Sequence, residues 1–77
     1  MKMNRLKQLR TERRMTQIMV QMATGIDQGD YSKIEQGKRN LSFEQCRQLA
    51  LAFNTSMDYL AGLTDVKEPY PRVKPEE

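Results

Sequence analysis

A chain of 77 residues with 38% hydrophobic residues makes one small domain with a modest core, and no segment approaches the ~20 apolar residues of a membrane helix. One cysteine and no histidine exclude a disulfide framework within the chain, an ordinary zinc site and histidine-based catalysis. The net charge is only +3, but residues 1–14 gather Lys2, Arg5, Lys7, Arg10, Arg13 and Arg14 against Glu12 alone. Such a run suits a polyanion, and it is also what a solvated helix face looks like. No metal, cofactor, membrane contact or enzymatic activity is expected, and without a signal-peptide core the expected location is cytoplasmic.

Five helices and no strand-like alternation can be read in chain order. The first runs from about Asn4 to Arg13, with Leu6 and Leu9 inward and its charges outward. The second starts at Thr16, a good N-cap, with Gln17 in its first turn, and must stop at Gly25, which can take the left-handed backbone that closes a helix. Asp27 can cap a third helix over Gln28 to Gln36, and Gly37 offers its stop. The fourth begins at Ser42, with Gln45 at the capping-box position and Leu41 and Cys46 placed as a hydrophobic staple. It carries Cys46, Leu49, Ala50 and Phe53 at helical spacing and ends near Asn54. Cys46 is read as a packed, reduced thiol rather than a redox or catalytic one. The fifth helix starts at the cap Ser56 and runs through Met57, Tyr59 and Leu60 to about Gly62.

From Thr64 the composition changes to three prolines and mixed charge, which reads as an extended, mobile tail without an effector domain. The alternatives are a strand added to a partner, or a tail folded over its own domain through Tyr70 and Val73. The expected organisation is therefore a domain over 1–63 and a tail over 64–77.

Two short helices joined by a tight turn are the helix-turn-helix layout, whose second helix is normally offered to the DNA major groove. The series Arg5-Leu6-Lys7-Gln8-Leu9-Arg10, Thr16-Gln17, Gly25-Ile26 and Ser32-Lys33-Ile34-Glu35-Gln36-Gly37-Lys38-Arg39 resembles the Cro/cI-type, or XRE, helix-turn-helix family. The resemblance continues through Leu41-Ser42-Phe43-Glu44, Leu49-Ala50 and Ser56-Met57-Asp58-Tyr59-Leu60 to Gly62-Leu63. It implies an all-α, five-helix domain of the lambda-repressor-like type. By motif position Gln28, Gly29, Ser32 and Lys33 would read bases, Gln with adenine and Lys with the acceptors of guanine. Gln17, at a helix N-terminus, would hold a phosphate, as would Lys38, Arg39 and Asn40 beyond the third helix. Arg10 and Glu35 match a pair that the family uses as a partly buried salt bridge joining the first and third helices. Tyr31 and Ile34 fall on inward positions, with a phosphate as the alternative partner of the Tyr31 hydroxyl. Asp30, less usual beside phosphates, would support the helix N-terminus or reject wrong sequences.

The second helix departs from the pattern. Gln21 stands where the family usually has Ala, Thr24 where it has an apolar residue, and Ile18, Met19 and Met22 at usually polar positions. Either Gln21 bends out or satisfies a backbone group while the methionines coat the surface, or Ile18, Met19 and Met22 form a patch for a protein partner. Leu51 is similarly placed for a dimer contact with Phe53 and the fifth helix. The expectation is a sequence-specific regulator of transcription, a repressor, that binds double-stranded DNA as a homodimer on a two-fold operator. The alternative is an antitoxin-like or anti-regulator-like module that uses the same fold to bind protein.

Overall fold

The computed structural model describes residues 5–73. They form α1 (Leu6–Glu12), α2 (Gln17–Thr24), α3 (Gln28–Glu35), α4 (Phe43–Ala52) and α5 (Met57–Ala61), with no strand among the described residues. The expected start of α1 at Asn4, and Lys2 before it, lie outside them. Local chemistry sets the boundaries. The hydroxyls of Thr16, Ser42 and Ser56 accept from the N–H groups of Met19, Gln45 and Tyr59, each three residues on. The Gln45 amide oxygen returns the bond to the Ser42 N–H at 3.0 Å, completing a capping box. At Thr16 the sulfur of Met19 fills that role at 3.4 Å.

One face of each helix enters a common core. Leu6 and Leu9 come from α1, Val20 from α2, Tyr31 and Ile34 from α3, Cys46, Leu49 and Ala50 from α4, and Tyr59 and Leu60 from α5. Ile26 of the turn and Phe53 after α4 complete it, and Leu41 packs against its edge. Burial raises the pKa of the Cys46 thiol, as fits an inert core cysteine. Phe53 is fully buried, so it cannot share a dimer contact with Leu51. It closes α4 from inside, and its carbonyl accepts from Arg13 Nε at 3.0 Å. Leu51 remains 46% exposed.

The segment after α5 is tied back to this body by polar groups rather than by its apolar side chains. The Arg5 guanidinium lies 4.2 Å over the Tyr59 ring and donates to the Tyr59 carbonyl, the Thr64 carbonyl and the Asp65 carboxylate. Thr55 donates to the Lys67 carbonyl, Lys67 Nζ pairs with Glu12, and the Tyr70 hydroxyl donates to Asp58 at 2.7 Å. Leu63, Val66, Tyr70 and Val73 stay more than half exposed. Of the readings open for this segment, folding back through Tyr70 agrees with these contacts. Val73 takes no part in it, at 95% exposure.

Candidate nucleic-acid interface

The turn between α2 and α3 is built so that α3 starts with its backbone donors satisfied. Gly25 takes φ +81° and donates its N–H to the Gln21 carbonyl at 2.7 Å. Thr24, a polar residue at a usually apolar position of α2, donates its hydroxyl to the Val20 carbonyl and accepts from the Ile26 N–H. Asp27 Oδ2 then accepts from the N–H of Gly29 at 3.0 Å and, at a longer 3.4 Å, from that of Asp30. The remaining first-turn donor, the N–H of Gln28, goes to the side-chain oxygen of Gln21 at 2.6 Å. Gln21 thus closes α2 with its backbone and opens α3 with its side chain. Of its two readings, satisfying a backbone group is the one observed.

The inner face of α3 is fixed by a buried polar cluster. Glu35, with only 6% of its side chain exposed, accepts from Arg10 Nε at 2.8 Å and Arg10 Nη2 at 3.1 Å. It also accepts from the Tyr31 hydroxyl at 2.7 Å and Gln17 Nε2 at 3.0 Å. Four donors meet the roughly four lone-pair positions of one carboxylate. Burial alone would raise the Glu35 pKa, but the hydrogen bonds from Arg10, Tyr31 and Gln17 together hold it below the usual carboxylate range. The Arg10 pKa is raised in turn, chiefly by its hydrogen bond to Glu35. Burial, then the bond to Glu35, raises the Tyr31 phenol well above its ordinary value. The Tyr31 hydroxyl is therefore committed inward and is not a phosphate contact.

With Tyr31, Ile34 and Glu35 inward, the opposite side of α3 carries Gly29 and Lys33 one turn apart, while Gln28 and Ser32 stand at its edge, next to Glu35 and Tyr31 on the helix surface. Gly29 and Lys33 are exposed and the other two half-buried. Ser32 accepts from Gln36 Nε2 at 2.9 Å. Gln28 Nε2 donates to Gln17 Oε1 at 2.6 Å, so the two glutamines are joined across the turn. A Cβ at Gly29 would lie 3.1 Å from Asp27 Oδ2, crowding the cap. After α3, Gly37 takes φ +79° and the Lys38 N–H returns to the Lys33 carbonyl at 2.8 Å. Lys38, Arg39 and Asn40 follow, all exposed. Arg39 pairs with Asp30 at 2.9 Å, with both side chains over 40% exposed.

A family model described as helix-turn-helix matches residues 6–60. The chain belongs to the Cro/cI-type helix-turn-helix family. It is a DNA-binding helix-turn-helix regulator, with α2 and α3 as the paired helices. No curated protein and no solved structure matches it. The family match runs from α1 into α5 and leaves out the segment fastened by Arg5. Among the described residues no helix is long and apolar enough to cross a membrane, and no acidic or cysteine cluster could hold a metal.

Sequence reasoning placed the residues of this helix-turn-helix but missed what several of them hold. The Gln21 bond to Gln28 had one visible signal, a polar residue at a position where the family has Ala. The Asp30–Arg39 pair had none beyond opposite charges nine residues apart. The Arg10–Glu35 bridge is the expected one, but the other first-helix arginines, read as facing bulk water, include Arg5 and Arg13, which each reach a partner elsewhere in the chain.

Proposed function

We propose that the protein is a repressor that binds a two-fold DNA operator as a homodimer, laying α3 in the major groove. The observation that carries this reading is the two-sidedness of α3. Its inner side is locked by Glu35 and its first turn is capped, while Gly29 and Lys33 are exposed on the other side and Gln28 and Ser32 stand half-buried at its edge. Gln28 would read adenine and Lys33 guanine, with Ser32 adaptable to either and Gly29 allowing close approach. Gln17 opens α2 and can give its backbone N–H and the second hydrogen of its amide to a phosphate. Lys38, Arg39 and Asn40 would hold a further stretch of backbone, Arg39 by exchanging Asp30 for a phosphate. A single domain of this size makes few base contacts, which favours pairing of two copies on half-sites about one helical turn apart. Repression follows where such a site overlaps a promoter. A location in the cytoplasm, with the DNA, accords with this.

Two substitutions test the placement of α3. Gln28→Ala is expected to relax base preference at one position of each half-site, at about 1–3 kcal/mol. Lys38→Ala is expected to weaken binding to all sequences alike and to flatten the salt dependence by about one unit of slope. Identical effects of the two on every sequence would overturn the placement.

A second reading rests on α2, where Ile18, Met19 and Met22 are 54%, 43% and 80% exposed. It makes the protein an antitoxin-like or anti-regulator-like module that binds another protein through these side chains. Binding would then be nearly independent of salt, whereas DNA binding must weaken steeply as salt rises.

A further inference from the structure

We infer that Arg14 is a phosphate-binding residue of the DNA interface, set beside Gln17 in the turn before α2. The inference rests on the reading that the α2–α3 face meets DNA, and it adds to that face a residue from outside the two helices. Arg14 ends α1 in a Schellman motif: its N–H returns to the Thr11 carbonyl and the Met15 N–H to the Arg10 carbonyl, both at 3.0 Å. That motif needs a left-handed residue at this position, and Arg14 takes φ +58°. Glycine adopts this backbone freely, whereas any larger residue meets a steric cost there. Nothing inside the protein offsets it. Arg5 is bound to Tyr59, Thr64 and Asp65, Arg10 to Glu35 and Arg13 to the Phe53 carbonyl. Arg14 is exposed, and its guanidinium has no hydrogen bond or ion pair among the described residues. Glu12, the nearest carboxylate along the chain, is taken by Lys67 at 3.1 Å and by Arg13 at 3.6 Å.

A free guanidinium suits a phosphate above other ligands, because it can meet two of the oxygens with parallel N–H bonds. Only Met15 and Thr16 separate Arg14 from Gln17, at most about 10 Å of chain. The backbone between them is already fixed, since Met15 packs against the core and Thr16 caps α2. A long basic side chain raised at that point reaches the stretch of phosphates that Gln17 meets, and little backbone freedom is lost on binding. The left-handed arginine and its free charge thus have one explanation: the side chain is kept for a ligand.

Phosphate contacts carry no sequence information, so a random-sequence duplex serves as the probe. The test measures its binding to wild type, Arg14→Gly, Arg14→Lys, Arg72→Gln and Lys38→Ala at about 50 and 200 mM salt, with the melting temperature of each protein. Arg14→Gly should melt a few degrees higher than wild type, because the strain is gone. It should nevertheless bind more weakly, with a salt slope smaller by about one unit for each copy bound, so that its loss is about threefold larger at the lower salt. Arg14→Lys keeps the charge and should keep the slope. Arg72→Gln removes the same charge from the exposed segment after α5 and should leave the slope unchanged. A slope for Arg14→Gly equal to that of wild type, or an equal fall in Arg72→Gln, would overturn the inference and make Arg14 a solvated residue or one charge among several. If Lys38→Ala lowers the slope while Arg14→Gly does not, the reading of the α2–α3 face stands and only the role of Arg14 falls. If neither lowers it, both fail.

Discussion

Arg10→Met isolates the buried charge on which the position of α3 depends. The substitution removes two hydrogen bonds to Glu35 and one from Nη1 to the Met15 carbonyl, at 3.0 Å, while keeping most of the apolar stem. Glu35 keeps Tyr31 and Gln17 but loses its cation, with 6% of its side chain exposed. Breaking a buried ion pair from one side costs about 3–5 kcal/mol, and the 14% exposure of Arg10 argues for the lower end, about 3 kcal/mol. A domain of this length has roughly 4–12 kcal/mol of total stability, so the loss is large. At about 4–8 °C per kcal/mol for a small domain, the melting temperature should fall on the order of 15 °C. Thermal and urea denaturation followed by circular dichroism would measure it.

The pH dependence gives the same experiment a second arm. In the wild type Glu35 titrates below its unfolded value, so the unfolded state binds the proton first on acidification. The stability contributed by Glu35 is therefore full above about pH 4.5 and is lost as the pH falls through the lower folded value. In Arg10→Met, burial without the cation raises the Glu35 pKa, so the sign reverses and the deficit should shrink as the pH falls from 7 towards 5. Adding Glu35→Gln to Arg10→Met should recover at least about 1 kcal/mol at pH 7, because no charge is left unpaired. A loss below about 1 kcal/mol for Arg10→Met, the scale of an exposed ion pair, would refute the reasoning.

Two further outcomes follow from side chains that bridge separate elements. Gln21→Leu should cost about 1–2 kcal/mol by leaving the Gln28 N–H without its partner, and hydrogen exchange at that amide should quicken; unchanged exchange there would refute the role. Arg5→Ala removes bonds to the Thr64 carbonyl and the Asp65 carboxylate together with the stack on Tyr59. It should cost about 2 kcal/mol and speed exchange selectively over residues 64–67, as measured by native-state hydrogen exchange.

The parts of this fold that are legible in the sequence are those decided within one turn of chain. Thr16, Asp27, Ser42 and Ser56 cap helices with N–H groups two or three residues away, so their type and spacing are enough. Helical periodicity likewise separates Tyr31 and Ile34 from Gly29 and Lys33. It does not say what the polar groups hold. Gln21 reaches seven residues to Gln28, Gln17 reaches eighteen to Glu35, and Arg5 reaches sixty to Asp65. Such bonds depend on how helices cross, which composition and spacing do not encode. Phe53 shows the converse error: grouped with Leu51 as a dimer contact, it lies four residues after Leu49 and so shares the buried face, while Leu51, two residues before it, faces out.

The measurement that tests the central claim most directly is selection of bound sequences from a random duplex library, with purified protein at physiological salt. A homodimer reading DNA through α3 predicts recovery of an inverted repeat whose half-site centres lie about 10 base pairs apart. Recovery of no sequence, or of unrelated ones, would contradict it and direct attention to the exposed Ile18, Met19 and Met22 of α2.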